Sequence, residues 1–222
     1  MNTQNNLFIV TSTIVTNHGM ISSQDRFLQT IETIESIRKN DKNSKIFLID
    51  NSEIPEEIKK ILSDKVDMFM SIGQRNATKI FNINQMKGAG ELYMLLVAID
   101  FLMSNNLKFK RIFKLSGRYK LSDNFDIGFY DDLGEKFCFK TREKDYNNNF
   151  FFHTRMWSVD GNLIEDMKEI IQKSFKMHIS NLDKNLTIEN CIYKNMNFSK
   201  LVEVGTIYCE GYIAPWNKLI QD

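Results

Sequence analysis

The chain alternates between two periodicities. Leu7–Thr16 is β-branched and mostly apolar at consecutive positions, the pattern of a strand buried on both faces. From Gln24 to Lys39 the apolar residues Phe27, Ile31, Ile34 and Ile37 recur at helical spacing, with Arg26, Glu32, Glu35 and Lys39 outside the stripe. Lys45–Asp50 predicts a second short buried strand. Asn51–Glu57 predicts a turn into a helix, with Ser52 as its cap and Pro55 early in the first turn. Ile58, Ile61 and Leu62 form the apolar face of that helix, and Val66–Ile72 predicts a third strand. Gln74–Met86 is polar and Asn-rich and reads as a loop. Lys87-Gly-Ala-Gly-Glu91 then opens the most apolar helix, Leu92–Met103. Arg111–Tyr119 starts as a strand and leaves the sheet at Ser116-Gly117.

Lys136–Thr141 and Phe150–Val159 predict two further strands around a polar Asp145–Asn149 loop. A helix runs from Gly161-Asn162 to about Lys176, with Ile164, Met167, Ile170 and Ile171 on one face. Another starts near Thr187, and Val202–Ile213 is a last strand region. Strand–helix alternation in the first half implies parallel strands joined by right-handed crossovers. Short antiparallel strands are expected in the second half. With two prolines, no repeat and no linker, the expectation is one α/β domain.

Composition narrows the function. With 42% hydrophobic residues the chain is globular rather than disordered. Its 29 basic and 28 acidic residues give a net charge of +1, which argues against nucleic acid as a partner but permits a local anion site. Cys138, Cys191 and Cys209 are odd in number and lack metal-site spacing, so a reducing compartment without disulfides is expected. No apolar run approaches the roughly 20 residues that cross a bilayer. With no signal peptide legible either, a cytoplasmic protein without a transmembrane segment is expected. His18, His153 and His178 stand far apart without partners at helical or hairpin spacing, so no metal site is predicted.

In an open α/β sheet, ligands bind beyond the carboxyl ends of the strands where the strand order reverses. That rule selects Thr11-Ser12-Thr13, Asp50-Asn51-Ser52 and Ser116-Gly117-Arg118-Tyr119, together with Lys87-Gly88-Ala89-Gly90 at a helix start. Glycines at a helix N-terminus let backbone approach an anion closely; the alternative is a loop that merely caps a buried helix. Asp50 could accept from a base or ribose, or it could close an Asx turn. Arg118 could bind phosphate bidentately or form a surface ion pair. Tyr119 could stack on a ligand or be a buried tyrosine. Strand alternation puts His153 and Arg155 on one face, suited to an acceptor or a leaving phosphate, or simply exposed. P-loop, dinucleotide and nucleophile-elbow patterns are absent from the sequence.

Taken together, the first strand, Arg26–Arg38 and Ile46–Ser52 resemble the start of the GT-A fold of nucleotide-diphospho-sugar transferases. Lys87-Gly-Ala-Gly-Glu with Ile112-Phe-Lys-Leu-Ser-Gly-Arg-Tyr119 resembles a little-characterised group of viral and bacterial glycosyltransferase-like sequences. The resemblance implies a Rossmann-like GT-A domain, with a mixed, mainly parallel central sheet flanked by helices. About 1–115 would form the nucleotide-binding half and about 116–222 the acceptor-side half. It implies transfer of a sugar from a nucleotide-sugar donor to a glycan, glycoprotein or lipid-linked acceptor. Thr11, Ser12, Arg26, Asp50, Lys87, Gly88, Ser116, Gly117 and Tyr119 would serve the donor. His153 and Arg155 would lie on the acceptor or phosphate side.

Thr187–Met196 resembles the acidic helix start of inverting family-2 transferases, with Asn190 in place of the second acid. Glu189 is therefore the implied base. Ser116-Gly117-Arg118 stands where that fold usually carries Asp-x-Asp. The expectation is that Arg118 or Lys87 meets the diphosphate and that no divalent metal or other cofactor is required. A nucleotidyltransferase would need a basic Gly-rich loop after the first strand. A non-catalytic nucleotide- or glycan-binding domain of the same fold is the other alternative.

Overall fold

The computed structural model describes residues 5–16, 21–182, 186–213 and 218–221; His18 lies outside them. β1 (Leu7–Ser12), β2 (Lys45–Asp50) and β3 (Met68–Ser71) run parallel, connected by α1 (Ser23–Asn40) and α2 (Glu56–Lys65). α3 (Asn76–Ile83) and α4 (Lys87–Ser104) carry the chain back to β4 (Arg111–Ser116), which pairs parallel with the free edge of β1. β5 (Tyr119–Leu121) and α5 (Ile127–Asp131) lead to β6 (Phe137–Lys140). A hairpin of β7 (Glu143–Lys144) and β8 (Phe150–Phe151) precedes β9 (Met156–Asp160). α6 (Ile164–Ile179), α7 (Ile188–Asn195), β10 (Leu201–Val204), β11 (Cys209–Ile213) and β12 (Lys218–Gln221) complete the order.

The central sheet has the order β10–β6–β9–β4–β1–β2–β3. Only β9 within it runs antiparallel to its neighbours. β12–β11–β5 and β7–β8 form two small antiparallel sheets. The result is one α/β domain with a mixed, mainly parallel sheet flanked by helices.

β1 shows why the apolar runs become central strands. Leu7 and Ile9 enter one core with α4, α6 and α7. Phe8 and Val10 enter the other with α1 and α2. Each fully buried side chain of this kind contributes about 1.5–3 kcal/mol, so a strand covered on both faces has no polar alternative register.

Four expectations need correction. Gln74–Met86 is not a loop; most of it is α3. Ala77, Ile80 and Phe81 stand at helical spacing, a stripe of barely one turn that the surrounding Asn and Gln residues outweighed. Phe150–Val159 is not one strand. Between β8 and β9 the backbone leaves the ladder, and the Thr154 carbonyl accepts from Lys114 Nζ instead. Val202–Ile213 divides into β10 and β11, which belong to different sheets, with Tyr208 at φ 52° between them. Ser52 does not cap α2. Its hydroxyl accepts from the Val15 N–H and donates to Asp50, and Pro55 starts the helix without a side-chain cap.

Among the described residues, no helix is long and apolar enough to cross a membrane. All three cysteines are buried thiols. Burial pushes the Cys138 thiol up to about 12 and the Cys191 thiol up to about 11, so neither is a ready nucleophile.

Candidate functional site

The strand order reverses between β1 and β4, and a crevice opens beyond their carboxyl ends. Two cavities fill it, of about 890 Å³ and about 880 Å³. They share Lys87, Glu91, Ser116 and Arg118 as a common wall. Thr11, Ser12, Arg26 and Gly117 line the first cavity. Gly88, Tyr119, His153, Arg155 and Glu189 line the second.

Asp50 lines neither cavity. It is fully buried at the end of β2, and its carboxylate accepts four hydrogen bonds. Ser12 Oγ (2.6 Å) and the Ile14 N–H (3.0 Å) reach Oδ2; the Ser52 N–H (2.7 Å) and Ser52 Oγ (2.5 Å) reach Oδ1. It thus closes an Asx turn and ties the loops after β1 and β2 together, with its acceptor sites used inside the protein. Burial pushes its pKa above the usual carboxylate range, and the four bonds only partly offset this.

The Ser116–Tyr119 turn is held by α1. Thr30 Oγ1 shares its proton between the Arg26 carbonyl (2.9 Å) and the Gly117 carbonyl (3.2 Å), and Thr33 Oγ1 between the Gln29 and Tyr119 carbonyls (both 2.9 Å). Ser36 Oγ accepts from the Leu121 N–H (2.9 Å). These three helix residues stand three apart, on one face, and follow β5 as an added strand would. A Cβ on Gly117 would sit 3.2 Å from the Ser12 Cβ and 3.3 Å from the Thr11 carbonyl, so the turn packs against β1 with little to spare.

Arg118, between the two pinned residues, projects into both cavities. Among the described residues, neither its guanidinium nor the Lys87 ammonium has a hydrogen-bond or ion-pair partner. Arg26 spends its Nε and Nη1 on the carbonyls of Ile21 and Thr13. Burial, and then the nearby Arg118, pull the Arg26 pKa below its usual range, with Asp50 opposing. Two guanidinium groups therefore line the first cavity near enough to oppose one another's charge.

Beneath the shared wall lies Lys114, whose side chain is fully buried. It bonds the Glu91 carboxylate, Ser116 Oγ (2.7 Å) and the Thr154 carbonyl (2.5 Å). The same set decides how a divalent ion would fit. Glu91 and Ser116 already bind an ammonium, Asp50 is saturated, and Arg118 is a like charge. Among the described residues, no group of three or more His, Cys, Asp or Glu is placed to hold a metal. The residues at the end of β4 do not fit one.

On the second side, the β7–β8 hairpin and α7 supply the wall. His153 Nε2 meets Glu143 Oε1 at 2.9 Å, and its Nδ1 meets Arg155 Nη2 at 3.0 Å. The Arg155 guanidinium lies 5.8 Å from the Tyr119 ring centroid. Tyr119 is buried and lines the second cavity, not the first. Glu189 stands in the first turn of α7, where the helix dipole favours a carboxylate, and Oε1 accepts from Thr154 Oγ1 at 3.0 Å. Asn190 is buried. Its Oδ1 accepts from the Thr187 N–H and hydroxyl, and its Nδ2 donates to Asp145 (3.3 Å) and the Phe150 carbonyl (3.1 Å). A carboxylate at 190 could not make the last two bonds. Gly88 is a packing requirement: its Cβ would stand 2.6 Å from Ile188 Cγ2 and 3.0 Å from His178 Nε2.

Sequence reasoning missed Lys114, Glu91, Thr154 and the Thr30–Thr33–Ser36 face. A lysine inside an apolar strand, Arg-Ile-Phe-Lys-Leu, was the available signal for Lys114.

No family model and no curated protein matches the chain. Solved structures do. Glycosyltransferase GlyE of Streptococcus pneumoniae TIGR4 superposes with TM-score 0.54 at 11% identity, over 91% of this chain and 45% of that one. Core-mannan synthase A of Aspergillus fumigatus, in a Mn/GDP form, gives TM-score 0.52 at 9% identity, over 90% and 72%. Galactosyltransferase LgtC, in complex with donor and acceptor sugar analogs, gives 0.51 at 10%, over 89% and 73%. The chain spans less than half the length of GlyE. At these identities the likeness establishes the fold, a Rossmann-like GT-A domain.

Proposed function

We propose that this chain is a glycosyltransferase that moves a sugar from a nucleotide-sugar donor to an acceptor hydroxyl in glycan synthesis. One observation carries the reading. Two cavities of similar size meet at Lys87, Glu91, Ser116 and Arg118, over the point where the strand order reverses. A transferase needs that plan: a donor chamber, an acceptor chamber, and cations where the bond breaks. The fold likeness to a synthase that holds Mn and GDP, and to a transferase that holds donor and acceptor analogs, supports it. So does the resemblance of the Lys87–Glu91 and Ser116–Tyr119 runs to the viral and bacterial transferase-like group.

In this reading the first cavity takes the nucleoside through Thr11 and Ser12, with the loop shape set by Asp50. Arg26, Lys87 and Arg118 face the diphosphate. The acceptor lies in the second cavity near Glu189, His153 and Arg155. The acceptor O–H gives its proton to the Glu189 carboxylate as its oxygen bonds the anomeric carbon. The bond from that carbon to the diphosphate breaks, and its electron pair leaves on the nucleoside diphosphate. The outcome is inversion. Fixed guanidinium and ammonium groups stabilise the charge on the leaving phosphate, and the reaction needs no divalent ion.

A thermal-shift screen with UDP, GDP, CDP, CMP, dTDP and their common sugar conjugates, each with EDTA and with Mn²⁺, tests this. A ligand at about 100 times its Kd adds about 2.7 kcal/mol, which for a chain of this size raises Tm by roughly 5–11 °C. A shift in EDTA with one nucleotide is expected. A shift only with Mn²⁺ defeats the role of the fixed cations, and no shift with any nucleotide defeats the transferase reading.

A further inference from the structure

We propose that Thr154, anchored by Lys114, is a positioning residue that aims the Glu189 carboxylate at the acceptor; the inference rests on the base role given to Glu189 above. Thr154 lies in the stretch between β8 and β9 where the chain leaves the ladder, and it is buried. Both of its polar ends are committed. Its carbonyl accepts from Lys114 Nζ, and its single hydroxyl proton goes to Glu189 Oε1 at 3.0 Å. An ammonium has three N–H groups, and Lys114 directs them at three acceptors, Glu91, Ser116 and Thr154. A saturated, fully buried cation therefore fixes the backbone that carries the hydroxyl.

The consequence for Glu189 is geometric. Its side chain is half-exposed at a helix start, where a free glutamate would sample several rotamers. The Thr154 bond selects one. It occupies Oε1, and among the described residues Oε2 has no protein donor, so the acceptor hydroxyl can give its proton there. Lys114 links the same point to the wall of the donor cavity through Glu91 and Ser116. The two chambers thus share one hydrogen-bonded frame, and the base is set relative to the bond that breaks.

The test uses the full chain and acceptor-free hydrolysis of UDP-glucose, UDP-galactose, UDP-N-acetylglucosamine, GDP-mannose and dTDP-glucose, followed as released nucleoside diphosphate, with water as the acceptor. Thr154→Val keeps the shape and removes the hydroxyl; Thr154→Ser keeps the hydroxyl and removes a methyl. The expected result is a kcat about 10- to 100-fold lower in Thr154→Val, with the donor KM within about twofold, and near-normal kcat in Thr154→Ser. In a Glu189→Gln background, Thr154→Val should lower kcat no further. Full kcat in Thr154→Val, while Glu189→Gln is impaired, overturns the positioning role and leaves the base role standing. Loss in Thr154→Ser with retention in Thr154→Val marks a packing role and also overturns it. Full turnover in Glu189→Gln, or no wild-type hydrolysis of any of the five donors, removes the base or transferase reading and this inference with it. Matching circular dichroism and melting curves exclude misfolding as the cause.

Discussion

Arg118→Met separates binding from stability by sign. In the wild type the Arg118 guanidinium has no partner among the described residues and lies close enough to Arg26 to depress its pKa. Removing it relieves a like-charge contact at a half-exposed site, worth less than about 1 kcal/mol, so the ligand-free protein should melt no lower than wild type. Ligand binding should move the other way. A hydrogen bond to a charged group is worth about 1.5–3 kcal/mol, so the Kd for a diphosphate should rise roughly 10- to 150-fold. At a concentration about 100 times the wild-type Kd, ligand stabilisation then drops from about 2.7 kcal/mol to about 0.3–1.4 kcal/mol. The thermal shift falls from roughly 5–11 °C to roughly 1–6 °C. Differential scanning fluorimetry with UDP and with pyrophosphate, in EDTA, reads both quantities. A variant that melts lower without ligand yet keeps the full ligand shift would refute the reasoning, because Arg118 would then be structural.

Three further outcomes follow from the packing. Ser36→Ala orphans the buried Leu121 N–H at a cost of about 1–3 kcal/mol, while the better helix former returns about 0.5 kcal/mol. Urea unfolding should show a net loss of about 0.5–2.5 kcal/mol, and wild-type stability would mean that α1 does not hold β5. Gly88→Ala forces a Cβ to 2.6 Å from Ile188 Cγ2 and should cost about 1–3 kcal/mol, read by melting temperature; an unchanged melt would show that the α4–α7 contact can open. Asp50 has a folded pKa raised by burial, so the folded state holds its proton more tightly than the unfolded chain does. From this group alone, stability is highest at the usual carboxylate pKa and below, and falls as pH rises through the folded value. The stability of wild type relative to Asp50→Asn should therefore rise on acidification from neutral pH toward about 4; urea melts that show a flat or opposite difference would contradict this.

What the sequence disclosed depended on whether a residue's role was written in apolar spacing. β1, β2 and α4 are enclosed by core on their inner faces, and their hydrophobic runs say so. Ser12 and Arg118 come to one crevice because strand ends in a doubly wound sheet converge, which alternation of elements already implies; Lys87 and Glu189 reach it from the starts of α4 and α7. α1 was legible only in part. Its stripe of Phe27, Ile31, Ile34 and Ile37 is real, but Thr30, Thr33 and Ser36 are buried beside it and bond a segment about 86 residues away. Polar residues at helix spacing look solvated until their partners are known. α3 was hidden because its apolar stripe, Ala77, Ile80 and Phe81, spans little more than one turn within an Asn-rich stretch. Asp50 was ambiguous between ligand acceptor and turn, and no local pattern reveals that four donors converge on it.

The charge arithmetic explains why composition was silent about the site. A net charge of +1 spread over 57 ionised groups gives no hint of a local excess. Around the crevice other charges are matched: Lys114 with Glu91 and Lys79 with Glu53. Lys79–Glu53 is a surface pair worth about 0–1 kcal/mol, and the buried Lys114 ammonium has its three N–H groups committed inside the protein, so neither selects a ligand. Arg118 and Lys87 are left over on the shared wall, and Arg26 stands beside them with its bonds made only to neutral carbonyls. Asp50, whose charge acts on Arg26, is fully buried and saturated by hydroxyl and N–H donors. Arg26 and Arg118 repel one another until an anion arrives. The more charge that anion carries, the more of the repulsion it cancels. On this electrostatic ground a diphosphate should bind more tightly than a monophosphate, and the CDP and CMP arms of the binding screen, which share a base, compare the two.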